Sequence, residues 1–166
     1  MSRSCLLSLT MLAVGCGRPM SADPEGRLSK VERAAIAAIR AVGGEVNVYG
    51  FEPGKAEVFV VLRGRRGGDA EMGHIHQLAH LLSLSLDDSS VTDEGLKQLA
   101  GLHTLKDIYL SNTKITGRGL EHLKDLTGLR ALEVARTDVT DESLRHLAGL
   151  KALKTLDISQ TKVTDE

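Results

Sequence analysis

Residues 105–128 read LKDIYLSNTKITGRGLEHLKDLTG, and residues 129–152 run through the same design again as LRALEVARTDVTDESLRHLAGLKA. The segment before them, 81–104, reads LLSLSLDDSSVTDEGLKQLAGLHT, and 153–166, LKTLDISQTKVTDE, opens a further copy. Three ungapped copies of equal length predict one structural unit stacked on itself. Within a unit the apolar positions set the local structure. Leu105, Ile108 and Leu110 recur as Leu129, Leu132 and Val134, and earlier as Leu81, Leu84 and Leu86. The last two of each set alternate at period two, as in a strand with one buried face. A hydroxyl column follows at Ser89, Thr113, Thr137 and Thr161, suited to satisfying backbone donors in a buried loop. Val91, Ile115, Val139 and Val163 then turn inward. Thr92, Thr116, Thr140 and Thr164 stand where a helix N-cap is wanted, and Asp93-Glu94 and Asp141-Glu142 place negative charge in the first turn. Leu96, Leu99 and Leu102, with their equivalents, give a short apolar stripe. Each unit is a strand, a tight turn and a short helix, and buries its apolar face only by stacking on its neighbours.

The combined pattern, L-x-x-L-x-L-x-x-T-x-V-T-D-x-G/S-L-x-x-L, resembles the leucine-rich repeat family in its ribonuclease-inhibitor-like form, common in large bacterial repeat proteins. The resemblance is strong over the second half of the chain and weaker back to about Val58. It implies an α/β solenoid, a right-handed superhelix with a parallel sheet on its concave face. It also implies a scaffold for binding, not catalysis, and no cofactor. Shifted back by one period, Val60 falls under Leu84, Leu62 under Leu86, Asp69 under Asp93, and Met72, Ile75 and Leu78 under the helix leucines. A degenerate first coil is therefore expected from about residue 57.

Upstream the chain changes character. Residues 1–15 read as a secretory signal, with Arg3 ahead of the apolar run CLLSLTMLAV, which is too short to span a bilayer. Leu12-Ala13-Val14-Gly15-Cys16 resembles a lipoprotein processing site, which implies lipid on Cys16 and anchoring in a bacterial cell envelope; plain secretion is the alternative. Ala13 stands where that family more often has Leu. Residues 16–28 then form a tether rich in Gly, Pro and charge. Residues 29–56 form a helix-plus-hairpin cap. Ser29-Lys30-Val31-Glu32 is a capping box, and Val31, Ala35, Ala38, Ile39 and Val42 mark the expected core face of a helix ending at Gly43-Gly44. Strands at 45–49 and 57–62 flank a Pro53-Gly54 turn. Repeats occupy 57–166. The last copy stops at Glu166 before its helix, so the expectation is either a piece of a longer protein or an edge that another molecule covers.

Composition narrows the function. The chain has 166 residues, 2% aromatics and no Trp, so its core is aliphatic. Lys and Arg number 21 against 22 Asp and Glu, and no polybasic run argues for nucleic acid. His74, His76 and His80 invite a metal site, and His76 and His80 are spaced to share a helix face. They lack the Glu of the zincin pattern and a third ligand, so a metal-dependent enzyme is only a remote alternative and exposed helix positions the plainer reading. Arg63-Gly64-Arg65-Arg66-Gly67-Gly68 lacks the Lys-Ser/Thr of a phosphate-binding loop and reads as a degenerate repeat turn.

The better candidate surface is the concave face. Strand residues pointing away from the core form columns: Ser83, Asp107, Ala131, Thr155, and Ser85, Tyr109, Glu133, Asp157. Beyond the strands lie Asp87, Ser111, Ala135, Ser159, then Asp88, Asn112, Arg136, Gln160. Asp107, Tyr109, Asn112, Glu133, Arg136 and Asp157 are the candidate binding residues, with Tyr109 as the expected lone aromatic anchor. Glu133 beside Asp157 suits a cation or a basic peptide. The sequence thus points to a non-catalytic module at a bacterial envelope, binding a protein or peptide. The alternative is a structural role, with copies associating through the last repeat.

Overall fold

The computed structural model describes residues 25–50 and 56–164; the expected signal, Cys16 and the Pro53-Gly54 turn lie outside them. The chain opens with a 3-10 turn at Glu25–Arg27 and helix α1, Lys30–Ala41. Strands β1, Glu45–Tyr49, and β2, Glu57–Val61, pair antiparallel, Val46 with Val60 and Val48 with Val58. After helix α2, Asp69–His76, come four coils whose strands are β3, Leu81–Ser85; β4, Asp107–Tyr109; β5, Ala131–Glu133; and β6, Thr155–Asp157. The strands stand in chain order in one six-stranded sheet. From β2 onward all neighbours are parallel, in a register that advances by 24 residues: Leu84 with Ile108, Ile108 with Leu132, Leu132 with Leu156. β2 therefore ends the hairpin and begins the solenoid, with Val60 beside Leu84 as the sequence predicts.

The predicted leucine columns form one core through β5, while on β6 Leu156 is 39% exposed and Ile158 only partly buried. Leu84, Leu86, Leu96, Leu99, Leu105, Ile108, Leu110, Leu120, Leu123, Leu129 and Leu132 are all fully buried. Met72, Ile75 and Leu78 of the degenerate first coil join them. The short helices α3, Asp93–Leu96; α4, Gly117–Leu120; and α5, Asp141–Leu144, are each one α-turn continued by a 3-10 turn, as at Lys97–Leu99. The leucines at i, i+3 and i+6 repeat every three residues, and a 3-10 turn keeps such a row on one side where a 3.6-residue helix would rotate it away.

The hydroxyl column does its work mainly on acceptors. Thr113, Thr137 and Thr161 each donate to the carbonyl three residues back, Thr113 Oγ1 to Leu110 O at 2.7 Å. Ser89 and Thr161 accept the N–H of the inward Val91 and Val163. One column was not foreseen. Asp88, Asn112, Arg136 and Gln160 all have φ between 56° and 59°, the left-handed region, so every coil leaves its strand through the same tight turn.

Helix α1 corrects the expected face. Val31 and Val42 are 57% and 42% exposed, while Glu32, Ala35, Ile36 and Ile39 point inward. The capping box holds, with Glu32 N–H donating to Ser29 Oγ and Ser29 N–H to Glu32 Oε2. The other oxygen, Oε1, bonds His80 Nδ1 at 2.7 Å. With both oxygens engaged, the carboxylate can be buried, and the helix turns its Glu32 side toward the first coil. Burial pushes the Glu32 acid up, but the bonds from His80 and Ser29 outweigh it and hold it below the usual carboxylate range. Leu28, expected in the tether, is 4% exposed and already part of the core.

Candidate binding face

The alternation that buries Ile108 and Leu132 turns Asp107, Tyr109, Ala131 and Glu133 to the opposite side of the sheet, where all four are half-buried. The predicted columns are paired as expected: Ser83 with Asp107, Asp107 with Ala131, Ala131 with Thr155, and Ser85 with Tyr109, Tyr109 with Glu133, Glu133 with Asp157. Neighbouring strands lie about 4.8 Å apart, so Tyr109, Glu133 and Asp157 make a short row across the face.

The electrostatics of this row are strained. Burial raises the Glu133 acid, and Asp87 and Asp157 raise it further. Burial raises Asp107 as well, against the pull of Arg130 and Lys106. Tyr109 is pushed up by burial and then by Asp107, Glu133 and Asp87. Asp157 goes the other way, because the backbone N–H of Ser159 and then its side chain bond the carboxylate. Asp87 is occupied too: Oδ1 accepts Ser111 N–H, and Oδ2 accepts Ser85 Oγ and faces Arg63 at 3.6 Å. Three carboxylates, Asp107, Glu133 and Asp87, thus act on one phenol, and Asp157 reaches it only through Glu133; Asp107 and Glu133 hold their protons more firmly than they ordinarily would.

Asn112 and Arg136 belong to the left-handed turn column and are exposed, with their side chains tied along it. Asn112 Nδ2 donates to Asp88 Oδ1, and Arg136 Nε to Gln160 Oε1, each at 2.8 Å. Thr113, Arg136, Thr137, Asp138 and Gln160 line a shallow depression there. These two residues sit at the rim, apart from the Tyr109 row.

The sequence reading missed a second aromatic group. Phe59 pairs with Ser83 and so extends the Asp107 column toward the cap. It meets Tyr49 of β1 edge-to-face, with ring centroids 5.4 Å apart. Both point away from the core, because Val58 and Val60 take the inward positions of β2. Tyr109 is therefore not alone. The face runs from an aromatic end at β1 and β2 to an acidic row at β4 to β6. The alternation EVFVV at 57–61 carried the signal for Phe59.

The histidines separate. α2 ends at His76, so His80 lies beyond it and is no helix position: it closes onto Glu32. His76 Nδ1 bonds Gln98 O at 2.7 Å, and His74 is exposed. Among the described residues no group of three His, Cys, Asp or Glu side chains gathers as metal ligands do. In the arginine loop, Gly64–Arg66 is a 3-10 turn that fastens the cap, with Arg63 Nε donating to Ser85 Oγ and Arg66 donating to Gly43 O.

A family description, Leucine Rich repeat, matches residues 77–100. That segment contains β3, its left-handed turn and α3, and three further strands follow it at the same spacing. The fold is a leucine-rich repeat solenoid. An internalin from Listeria monocytogenes superposes with a TM-score of 0.53 at 19% identity, over 81% of this chain and 44% of that one. The C-terminal domain of tropomodulin from Caenorhabditis elegans gives 0.53 at 12% identity, over 79% and 83%. The LRR ectodomain of the receptor kinase SOBIR1 from Arabidopsis thaliana gives 0.45 at 16% identity, over 82% and 97%. For the internalin and tropomodulin the likeness is one of fold. This chain spans less than half of the internalin. No curated protein matches the sequence.

Proposed function

We propose that the solenoid is a non-catalytic recognition module whose concave sheet binds a basic protein segment, and that lipid on Cys16 holds it at a bacterial envelope. The observation that supports the reading is the juxtaposition on one sheet face of Tyr49 and Phe59 with the row Asp107, Tyr109, Glu133 and Asp157. Aromatic rings supply contact area at low entropic cost, and clustered carboxylates supply attraction for Lys or Arg while disfavouring acidic partners. The solved relatives support the fold and nothing finer.

The test is a peptide array of matched basic and acidic sequences. Wild type is expected to retain the basic set, and Tyr109→Ala with Glu133→Lys to lose it by at least tenfold with circular dichroism unchanged. Equal retention by the variant contradicts the assignment. The reading also fixes a pH dependence. Glu133 and Asp107 are both held above their ordinary values, chiefly by burial, so retention weakens on acidification at a higher pH than the same carboxyls in water would give. Anchoring is tested separately, by palmitate labelling of the wild type and not of Cys16→Ala.

A further inference from the structure

Helix α1 has an outward half that the fold leaves uncovered. At 100° per residue, Lys30, Ala34, Ala37 and Ala41 lie opposite the buried Ile39, with Val31, Ala38 and Val42 along one flank and Arg33 and Arg40 on the other. Lys30, Val31, Arg33, Ala34, Ala37, Ala41 and Val42 are all exposed. A solvated helix face ordinarily mixes both signs of charge. Here the helix's one carboxylate, Glu32, is turned inward and bonded to Ser29 and His80. What remains outside is apolar and basic. The same division holds along the chain: residues 25–66 carry eight Lys and Arg against five Asp and Glu, and residues 67–166 carry eleven against sixteen.

We propose that this face of α1 lies on an anionic lipid surface. The inference rests on the anchoring proposed above. A small Ala and Val surface with Lys30 on it and Arg33 and Arg40 along one edge binds weakly by itself, but a lipid on the same chain raises its effective concentration at the membrane. The geometry permits it. Eight residues separate Cys16 from Glu25, a reach of up to about 28 Å when extended. α1 is about 18 Å long. The helix can therefore settle flat beside its own anchor. Its basic flank meets lipid phosphates, and the acidic coils are repelled from them. The contact sets orientation: the cap lies down, and the sheet with its acidic row stays open to solution.

The chain has no Trp, so Ala37→Trp makes a single-site reporter. Coupling the chain from Cys16 onward to a maleimide lipid supplies the anchor whatever the cell does, which keeps this test independent of palmitate labelling. On vesicles of phosphatidylcholine with 30% phosphatidylglycerol, the Trp emission is expected to shift to the blue and to be quenched at least twofold by brominated lipid. On phosphatidylcholine alone, neither is expected. Lys30→Glu with Arg33→Glu should abolish both effects, and a Trp at Thr155 on the last strand should show neither. Emission from Trp at position 37 unchanged from solution overturns the proposal, as does an equal shift on the uncharged vesicles.

Discussion

Two junctions between coils solve one problem in different ways. Where α3 meets α4, Asp93 reaches forward to the next coil: its carboxylate accepts both the N–H and the hydroxyl of Thr116, each at 2.7 Å. Asp69 does the same for Thr92, and Asp141 for Thr164. Where α4 meets α5 the equivalent residue is Gly117, which has no carboxylate to offer. There Ser143, three residues on in the same helix, takes over, its hydroxyl accepting Thr140 N–H at 3.2 Å. The exchange needs two columns to change together. A side chain at 119 would run into Asp93, with a Cβ only 2.5 Å from its Oδ1, so Gly is required wherever the preceding Asp is present. Gly95 faces Asp69 in the same way, and Ser143 fits because Gly117 leaves the space empty. The N–H of the threonine that opens each helix finds its acceptor either in the preceding coil, as at Thr92 and Thr116, or in its own helix, as at Thr140, and each choice forbids the other.

The largest effect should come from forcing both choices on one junction. Gly119→Ser against an intact Asp93 is expected to cost about 2–3 kcal/mol in urea unfolding. Adding Asp93→Gly should recover most of that loss, since the pair recreates the Gly117 and Ser143 arrangement. A double-mutant cycle showing simple additivity would break the comparison. Next comes Asp93→Ala, which removes the acceptor from Thr116 and should cost about 1–2 kcal/mol. Thr140 has no such partner to lose, so Gly117→Ala should act only through contact with Ser143, and combining it with Ser143→Gly should relieve that contact. The smallest effect lies in the left-handed column. Arg136→Gly should gain up to about 1 kcal/mol from φ of 57°, less what its bond to Gln160 contributes. Asn112→Gly should gain less, because Asn tolerates that turn. Thermal unfolding of the two variants side by side distinguishes them.

The features that repeat in sequence were legible, and those that depend on a distant partner were not. The leucine columns, the threonine caps, the double use of β2 and the concave columns all follow from a period and an alternation. The face of α1 did not, because Val31 and Val42 look like core residues until His80, 48 positions away, is seen to take up the Glu32 carboxylate. The left-handed turn is written plainly in Asp88 and Asn112, types that accept it, and disguised by Arg136 and Gln160, which do not. On the candidate face, Asp107, Tyr109, Glu133 and Asp157 fall on adjacent strands as their spacing implies. Tyr49 and Phe59 were passed over because their strands were read for the valines they bury.

Among the described residues, side-chain hydrogen bonds from coil to coil join positions 22 to 25 apart, from His76 with Gln98 to Thr104 with Leu81 and Ala79, whereas the Glu32–His80 bond spans 48. Such a chain closes only short loops as it folds, so each coil adds to the last at similar entropic expense. Loss of order should then proceed one period at a time, with the coils held by the Glu32 clamp opening last. Amide exchange should accordingly be graded along the stack, slowest near β2 and β3, in place of a single all-or-none opening.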